Sequence, residues 1–286
     1  MTGEMIRFGE CLLRWGTLAY CSMFPAVRQF YNHKIYPCPV EQKYHANGYC
    51  RVRYIHENGV HVFLPDVIGK MPMIVMVNGT GLKALHYRPV FEHLASWGFI
   101  VVGNDDSNAW SGDSALQSLE VALAMGQTPN HDLYQCIDAD RLGVVGHSQG
   151  SLGAINAASK DGRFKVLYAA SVPKQSLVQN LRWRCEIENI HIPTLLVAGT
   201  KCIDQQISPL ASMHALGDSI TTDSPTVLGR LASVEHRFVL HEGDAYMTAW
   251  LRYWLCGDQY ARIAFYGPKA ELPQNPRWQD VSVKHT

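Results

Sequence analysis

Continuous apolar runs that end in polar or glycine-rich loops, with amphipathic stretches between them, leave this chain few architectures. The first run is "MIVMVNGTG" (73–81), followed by the amphipathic "YRPVFEHLASWG" (87–98), which Gly98 closes. Then come the run "FIVVGN", a helical stretch over 113–126, the run "RLGVVG" and the small-residue helix "QGSLGAINAAS". "VLYAAS", "TLLVAGT", a helix from Ser208 and a last strand near "TVLGRLASV" complete the series. Uninterrupted apolar strands are buried on both faces, as in a parallel sheet, and the intervening helices cover those faces. The pattern predicts an α/β, doubly wound, mostly parallel sheet of about eight strands with helices on both faces.

The ends of the chain add detail. "RVRYIHENGVHVFLP" (51–65) reads as a hairpin about Asn58-Gly59, the pair best suited to a type I′ turn. Met247, Trp250, Leu251, Trp254 and Leu255 fall at helical spacing and predict a helix packed on the sheet and stopped by Gly257. Asp258 is placed to cap a following helix, "QYARIAFYG". Residues 1–50 are irregular and aromatic-rich, so an N-terminal extension over 1–50 and one globular domain over 51–286 are expected. The start of the chain suits an amphipathic helix better than a signal peptide, because its apolar stretch is short and interrupted by Arg14, with Glu4 and Glu10 upstream. That favours the cytoplasm, with secretion as the alternative.

Charge excludes some functions. The 286 residues carry 25 Lys+Arg against 25 Asp+Glu, a formal net charge of zero, which offers no basic footprint for nucleic acid. No stretch approaches the ~20 apolar residues of a membrane span. The 13 histidines and eight cysteines form no H-E-x-x-H or paired C-x-x-C, so neither a metal nor another cofactor is expected. Cys38/Cys50 and Cys185/Cys202 are the pairs whose positions would allow a disulfide in an oxidising compartment.

Chemistry concentrates at Gly146-His147-Ser148-Gln149-Gly150, a G-x-S-x-G lying between a strand and a helix. There the serine occupies a strained turn, the glycines leave room for the adjoining strand and helix, and the hydroxyl sits at a helix N-terminus. A glycine-rich loop with a structural serine is the plainer alternative, but the flanks on both sides favour Ser148 as nucleophile. A serine hydroxyl needs a base, and the base needs an orienting acid. For a nucleophile in such a turn the acid and then the histidine follow along the chain. Asp204 is the carboxylate in "KCIDQQISP", with Asp218 and Asp223 in reserve. His236, directly after the last strand, is the expected base, with His241 in reserve. His86, His93 and His214 fall in or beside helices, and His147 is expected to pack beneath the turn. The oxyanion donors expected are the backbone amides of Gln149 and of Thr80, in the loop after the first buried strand. A phosphate cradle in that loop would need a G-x-x-x-x-G-K-[ST], which the chain lacks. Trp110, in "NDDSNAWSG", is the candidate substrate contact.

With these residues in place, the chain resembles the α/β-hydrolase superfamily, and within it the dienelactone-hydrolase-like, chlorophyllase and cutinase-type polyester hydrolase branch. "VNGTG", "YRPVFEHLASWGFIVVGND", "GHSQGSLGAINAAS", "IPTLLVAGT" and "MTAWLRYWLCGDQYARIAFYG" carry the likeness, over roughly residues 70–267. The resemblance implies an α/β-hydrolase fold and hydrolysis of a small or polymeric carboxylic ester by a cofactor-free triad. Only 22 residues separate "VLYAAS" from "TLLVAGT", so no large lid is expected. The chain departs from the pattern at the acid loop, where Cys202 holds the expected acid position and Asp204 follows two residues later. An amidase, thioesterase or acyltransferase would use the same site, and a catalytically silent scaffold acting as a binding module would keep the fold without the reaction.

Overall fold

The computed structural model describes residues 38–220 and 223–284. The helix expected near the start of the chain lies outside them. The described residues form one sheet of nine strands: β1 (Val52–Glu57), β2 (Val60–Pro65), β3 (Met71–Val77), β4 (Ile100–Asn104), β5 (Ile137–His147), β6 (Phe164–Ala170), β7 (Thr194–Gly199), β8 (Thr226–Leu231) and β9 (Trp278–Lys284). Their order is β1-β2-β4-β3-β5-β6-β7-β8-β9. From β4 to β8 the neighbours are parallel, while the edge pairs β1/β2 and β8/β9, and the β2/β4 pair, are antiparallel. This is the α/β-hydrolase fold, with helices on both faces of the sheet.

The two faces separate residue by residue, as the period of a strand requires. Ile74, Met76, Val101 and Val145 point to one face, where they pack with Phe91, Trp250 and Leu251 from the helices Arg88–Ser96 and Asp244–Cys256. Met73, Val75, Val102 and Val144 point to the other, against Leu119, Leu152 and Ile155 from Asp113–Gln127 and Gln149–Lys160. Burial of each such side chain stabilises the fold by about 1.5–3 kcal/mol, which is what seats the helices. Met247, Trp250, Leu251 and Leu255 are buried as expected, and Trp254 is half-buried. Asn58 and Gly59 both adopt positive φ (50° and 76°), as a type I′ hairpin turn demands.

Several expectations need correcting. The sheet has a ninth strand, β9, beyond the one expected to be last. Its sequence, "WQDVSVK", has no apolar run because it is an edge strand, and Asp280 at φ 55° breaks its alternation. The helix expected over "QYARIAFYG" is a single turn, Gln259–Arg262, although Asp258 does cap it, accepting from the amides of Tyr260 (3.1 Å) and Ala261 (3.3 Å). Within the irregular first 50 residues, Pro39–His45 is helical. The Glu271 carboxylate accepts the Val40 and Glu41 amides at that helix's start (2.7 and 2.8 Å), and Tyr44 donates to Asp258 at 2.7 Å. Cys38, Cys50, Cys185 and Cys202 are free thiols, so neither suggested disulfide forms. Among the described residues no helix is long and apolar enough to cross a membrane.

Between β6 and β7 the chain makes only the short helix Gln175–Asn180 and the turn Ile187–Asn189, with no lid domain in that connection. The carboxyl ends of the parallel strands β3, β5, β7 and β8 share one rim of the sheet. In open α/β sheets this is where reactive groups collect.

Candidate active site

Ser148 follows β5 directly and immediately precedes the helix Gln149–Lys160. Its backbone is held at φ 57°, ψ −125°, far from the regions an L-residue prefers. Close packing on both sides sustains that turn. A Cβ on Gly146 would meet the Gly150 carbonyl oxygen at 2.1 Å, and one on Gly150 would meet the Val77 oxygen at 2.2 Å. Only glycine fits at either place, which accounts for the flanking residues of the motif. The Ser148 amide donates to Ala170 O at 2.9 Å, tying the turn to β6.

Three side chains from separate loops meet at this point. His236 Nε2 lies 2.9 Å from Ser148 Oγ, and His236 Nδ1 lies 2.6 Å from Asp204 Oδ1. A carboxylate oxygen accepts, so Nδ1 carries the proton and Nε2 presents a lone pair to the serine hydroxyl. Asp204 is fully buried, and its second oxygen accepts from Ser171 Oγ at 3.1 Å and from the Gly199 amide. It lies in the first turn of the helix Cys202–Ile207, a position from which a carboxylate two residues beyond Cys202 still reaches the histidine. His236 is only slightly exposed and begins the short turn His236–Phe238 after β8.

The reserve residues are elsewhere. Asp218 pairs with Lys284 at 2.5 Å, Asp223 is exposed, and His241 is buried 3.9 Å from Asp244. His86 Nδ1 accepts the Lys83 amide at 2.8 Å, His93 Nε2 lies 2.9 Å from Tyr44 O, and His214 is exposed. His147 packs beneath the turn, as expected. Burial pushes its pKa down to about 3, helped by the neighbouring His236, so the ring is neutral.

The loop after β3 reaches the serine turn, where a Cβ on Gly79 would lie 3.5 Å from Ser148 Cβ. Gln149 is the first residue of its helix, so its amide has no intrahelical acceptor. In the loop after β3, the Gly79 amide donates to Tyr87 Oη (3.0 Å) and the Gly81 amide to Ser107 O (2.9 Å). The Thr80 amide between them has no acceptor among the described residues. That loop is anchored by Asn78, whose Nδ2 donates to Asn104 O (2.6 Å) and Asp106 O (3.0 Å). Trp110 sits half-buried against the apolar layer below, its carbonyl accepting from Asn156 Nδ2 at 2.8 Å. Nearby, Asn108 Oδ1 accepts from Gln149 Nε2 at 3.0 Å. Among the described residues no group of three or more His, Cys, Asp or Glu could hold a metal ion.

The sequence reading missed Ser171, Gly199 and Tyr87. Ser171 ends "VLYAAS" just past β6, the strand between the serine's and the acid's, and that placement was a usable signal. Tyr87 had none, because its contact depends on how the loop after β3 folds back.

Comparison with known proteins agrees with this architecture. Residues 55–276 match the family model described as PETase, PET hydrolase-like. Among curated relatives, cutinase est1 of Thermobifida alba is 28% identical over 188 residues, covering 63% of this chain and 60% of that protein. Cutinase est2 of the same organism is 27% identical (63% and 59%), and cutinase 2 of Thermobifida cellulosilytica 26% (63% and 68%). The chain thus spans about three-fifths of the length of the first two. A family match over most of the chain, on a sheet of the same architecture, makes this protein a member of the PET hydrolase-like family.

Proposed function

We propose that this protein is a serine hydrolase that cleaves carboxylic esters, small or polymeric, through an acyl-enzyme on Ser148. The observation that carries the reading is the pair of contacts Ser148 Oγ–His236 Nε2 (2.9 Å) and His236 Nδ1–Asp204 Oδ1 (2.6 Å). His236 takes the hydroxyl proton as Ser148 attacks the ester carbonyl, and the buried Asp204 stabilises the imidazolium that results. The negative charge on the former carbonyl oxygen falls to the amides of Thr80 and Gln149, with the N-terminus of the helix Gln149–Lys160 adding its dipole. His236 then passes its proton to the leaving alcohol. A water molecule, deprotonated by the same imidazole, attacks the acyl-serine and releases the acid. The imidazolium returns that proton to Ser148 Oγ as the bond from the serine oxygen to the acyl carbon breaks. The names of the cutinase relatives support an ester as substrate, and the absence of a lid domain between β6 and β7 suits a bulky or polymeric one. Trp110, near the Asn108–Gln149 contact, is the proposed substrate contact.

Steady-state hydrolysis of p-nitrophenyl esters by wild type and Ser148→Ala tests the proposal. Turnover by wild type and at least a 10³-fold loss in the variant are expected. A matched p-nitrophenyl anilide and thioester run beside the ester separate esterase from amidase and thioesterase.

A further inference from the structure

Beneath the serine, groups that the proposed reaction does not use are joined into one hydrogen-bonded chain. The Gly79 amide donates to the Tyr87 hydroxyl at 3.0 Å, that hydroxyl lies 3.2 Å from His147 Nδ1, and His147 Nε2 lies 3.0 Å from the main-chain oxygen of His236. The direction of each link follows from chemistry. A carbonyl oxygen only accepts, so His147 Nε2 carries the ring's proton. A neutral imidazole then has a bare Nδ1, to which the Tyr87 hydroxyl donates while its oxygen accepts the Gly79 N–H.

What the chain connects gives it a purpose. One end is Gly79, the residue before Thr80; the other is the backbone of His236 itself. Gly79 is pressed onto the serine turn: a Cβ there would lie 2.9 Å from Tyr87 Oη, 3.3 Å from His147 O and 3.5 Å from Ser148 Cβ. At the far end, the His236 carbonyl accepts both the Val239 amide that closes its turn and the His147 Nε2–H. Tyr87 and His147 are themselves buried, and their rings meet edge to face at 6.0 Å. The His147 ring also lies 4.8 Å from the His236 ring.

We infer that Tyr87 and His147 are positioning residues, a brace that holds the Thr80-bearing loop and the His236-bearing turn in fixed register on either side of Ser148. The inference rests on the roles proposed for Ser148, His236 and Thr80. Neither brace residue takes part in bond making. Their effect is on the placement of the oxyanion donor relative to the base, and a displacement of about 1 Å at a reacting centre can cost about 100-fold in rate.

Side-chain geometry supplies a test that generic packing damage would not mimic. A glutamine amide nitrogen stands as many bonds from Cβ as histidine Nε2, and an asparagine nitrogen as many as Nδ1. Glutamine at 147 keeps a donor for the His236 carbonyl; asparagine and leucine do not. The experiment is steady-state hydrolysis of a p-nitrophenyl ester by the full chain, with thermal unfolding, for wild type, Tyr87→Phe, His147→Gln, His147→Asn, His147→Leu and Ser148→Ala. For His147→Asn and His147→Leu, kcat is expected to fall by about 10- to 100-fold with KM within about twofold. His147→Gln is expected to recover most of that loss, and Tyr87→Phe, which deletes one oxygen, to lower kcat by about 10-fold. Wild-type kcat in Tyr87→Phe, or equal losses in the three His147 variants, would overturn the brace. If the leucine variant fails to fold, the Gln–Asn comparison and Tyr87→Phe still decide. Undiminished hydrolysis by Ser148→Ala would instead remove the proposed function on which the brace rests, a result distinct from an active wild type whose brace variants are silent.

Discussion

Asp204 and His236 meet at 2.6 Å although the acid stands two residues past the position where the strand-end turn would put it. The helix Cys202–Ile207 starts at once after that turn and swings the carboxylate back toward the histidine, where Ser171 and Gly199 hold its second oxygen. An isosteric Asp204→Asn would keep the contact but leave His236 in the wrong tautomer. Its kcat on p-nitrophenyl esters is expected to drop by about 10³–10⁴-fold with an unchanged melting temperature. A loss under tenfold would reassign the acid.

Ser171→Ala separates the acid's supports from the acid itself. The Gly199 amide still serves Asp204 Oδ2 when the hydroxyl is gone. One hydrogen bond to a charged group is missing, so kcat/KM is expected to fall by about 1–2 kcal/mol in barrier, or about 5- to 30-fold. An effect as large as that of Asp204→Asn would mean that Ser171 does more than hold the carboxylate.

Gly199 tests the packing around the acid. A Cβ there would sit 2.2 Å from Val234 O and 3.1 Å from Asp204 Oδ2, so the backbones before Asp204 and His236 must part. Gly199→Ala is expected to lower both the melting temperature, by several degrees, and kcat. Gly162→Ala, where nothing lies within 4 Å, is the control and should change neither. Indistinguishable variants would contradict the close approach.

His147 links stability to pH. Its pKa falls from 6.5 to about 3 on folding, because burial penalises the charged ring. On acidification the unfolded chain takes up a proton that the folded chain refuses. The contribution is complete above about pH 6.5 and is lost as pH falls from there toward 3. Between pH 7 and pH 4.5 this amounts to at most about 2–3 kcal/mol. His147→Gln has no such group, so the wild-type urea midpoint should fall relative to that of His147→Gln over that range. Parallel midpoints at both pH values would contradict a buried neutral ring.

Much of this was legible in the sequence because its determinants are local. Apolar runs such as "MIVMV" identify strands buried on both faces, and Gly146 and Gly150 identify a turn where no side chain fits. Ser148 and His236 could be placed by counting strands. β9 could not: an edge strand buries little, so Gln279, Asp280, Ser282 and Lys284 hide its register. Tyr87 and Ser171 escaped notice for another reason. Their contacts, with Gly79 and His147 and with Asp204, exist only after segments distant in sequence have packed together.

The most direct measurement is the site of covalent trapping by a fluorophosphonate, mapped by peptide mass spectrometry in wild type and His236→Ala. One stoichiometric adduct on Ser148, formed at least 10³-fold more slowly without the imidazole, is the expected result. An adduct on another residue, or labelling of Ser148 at the same rate in both proteins, would contradict a hydroxyl activated by His236.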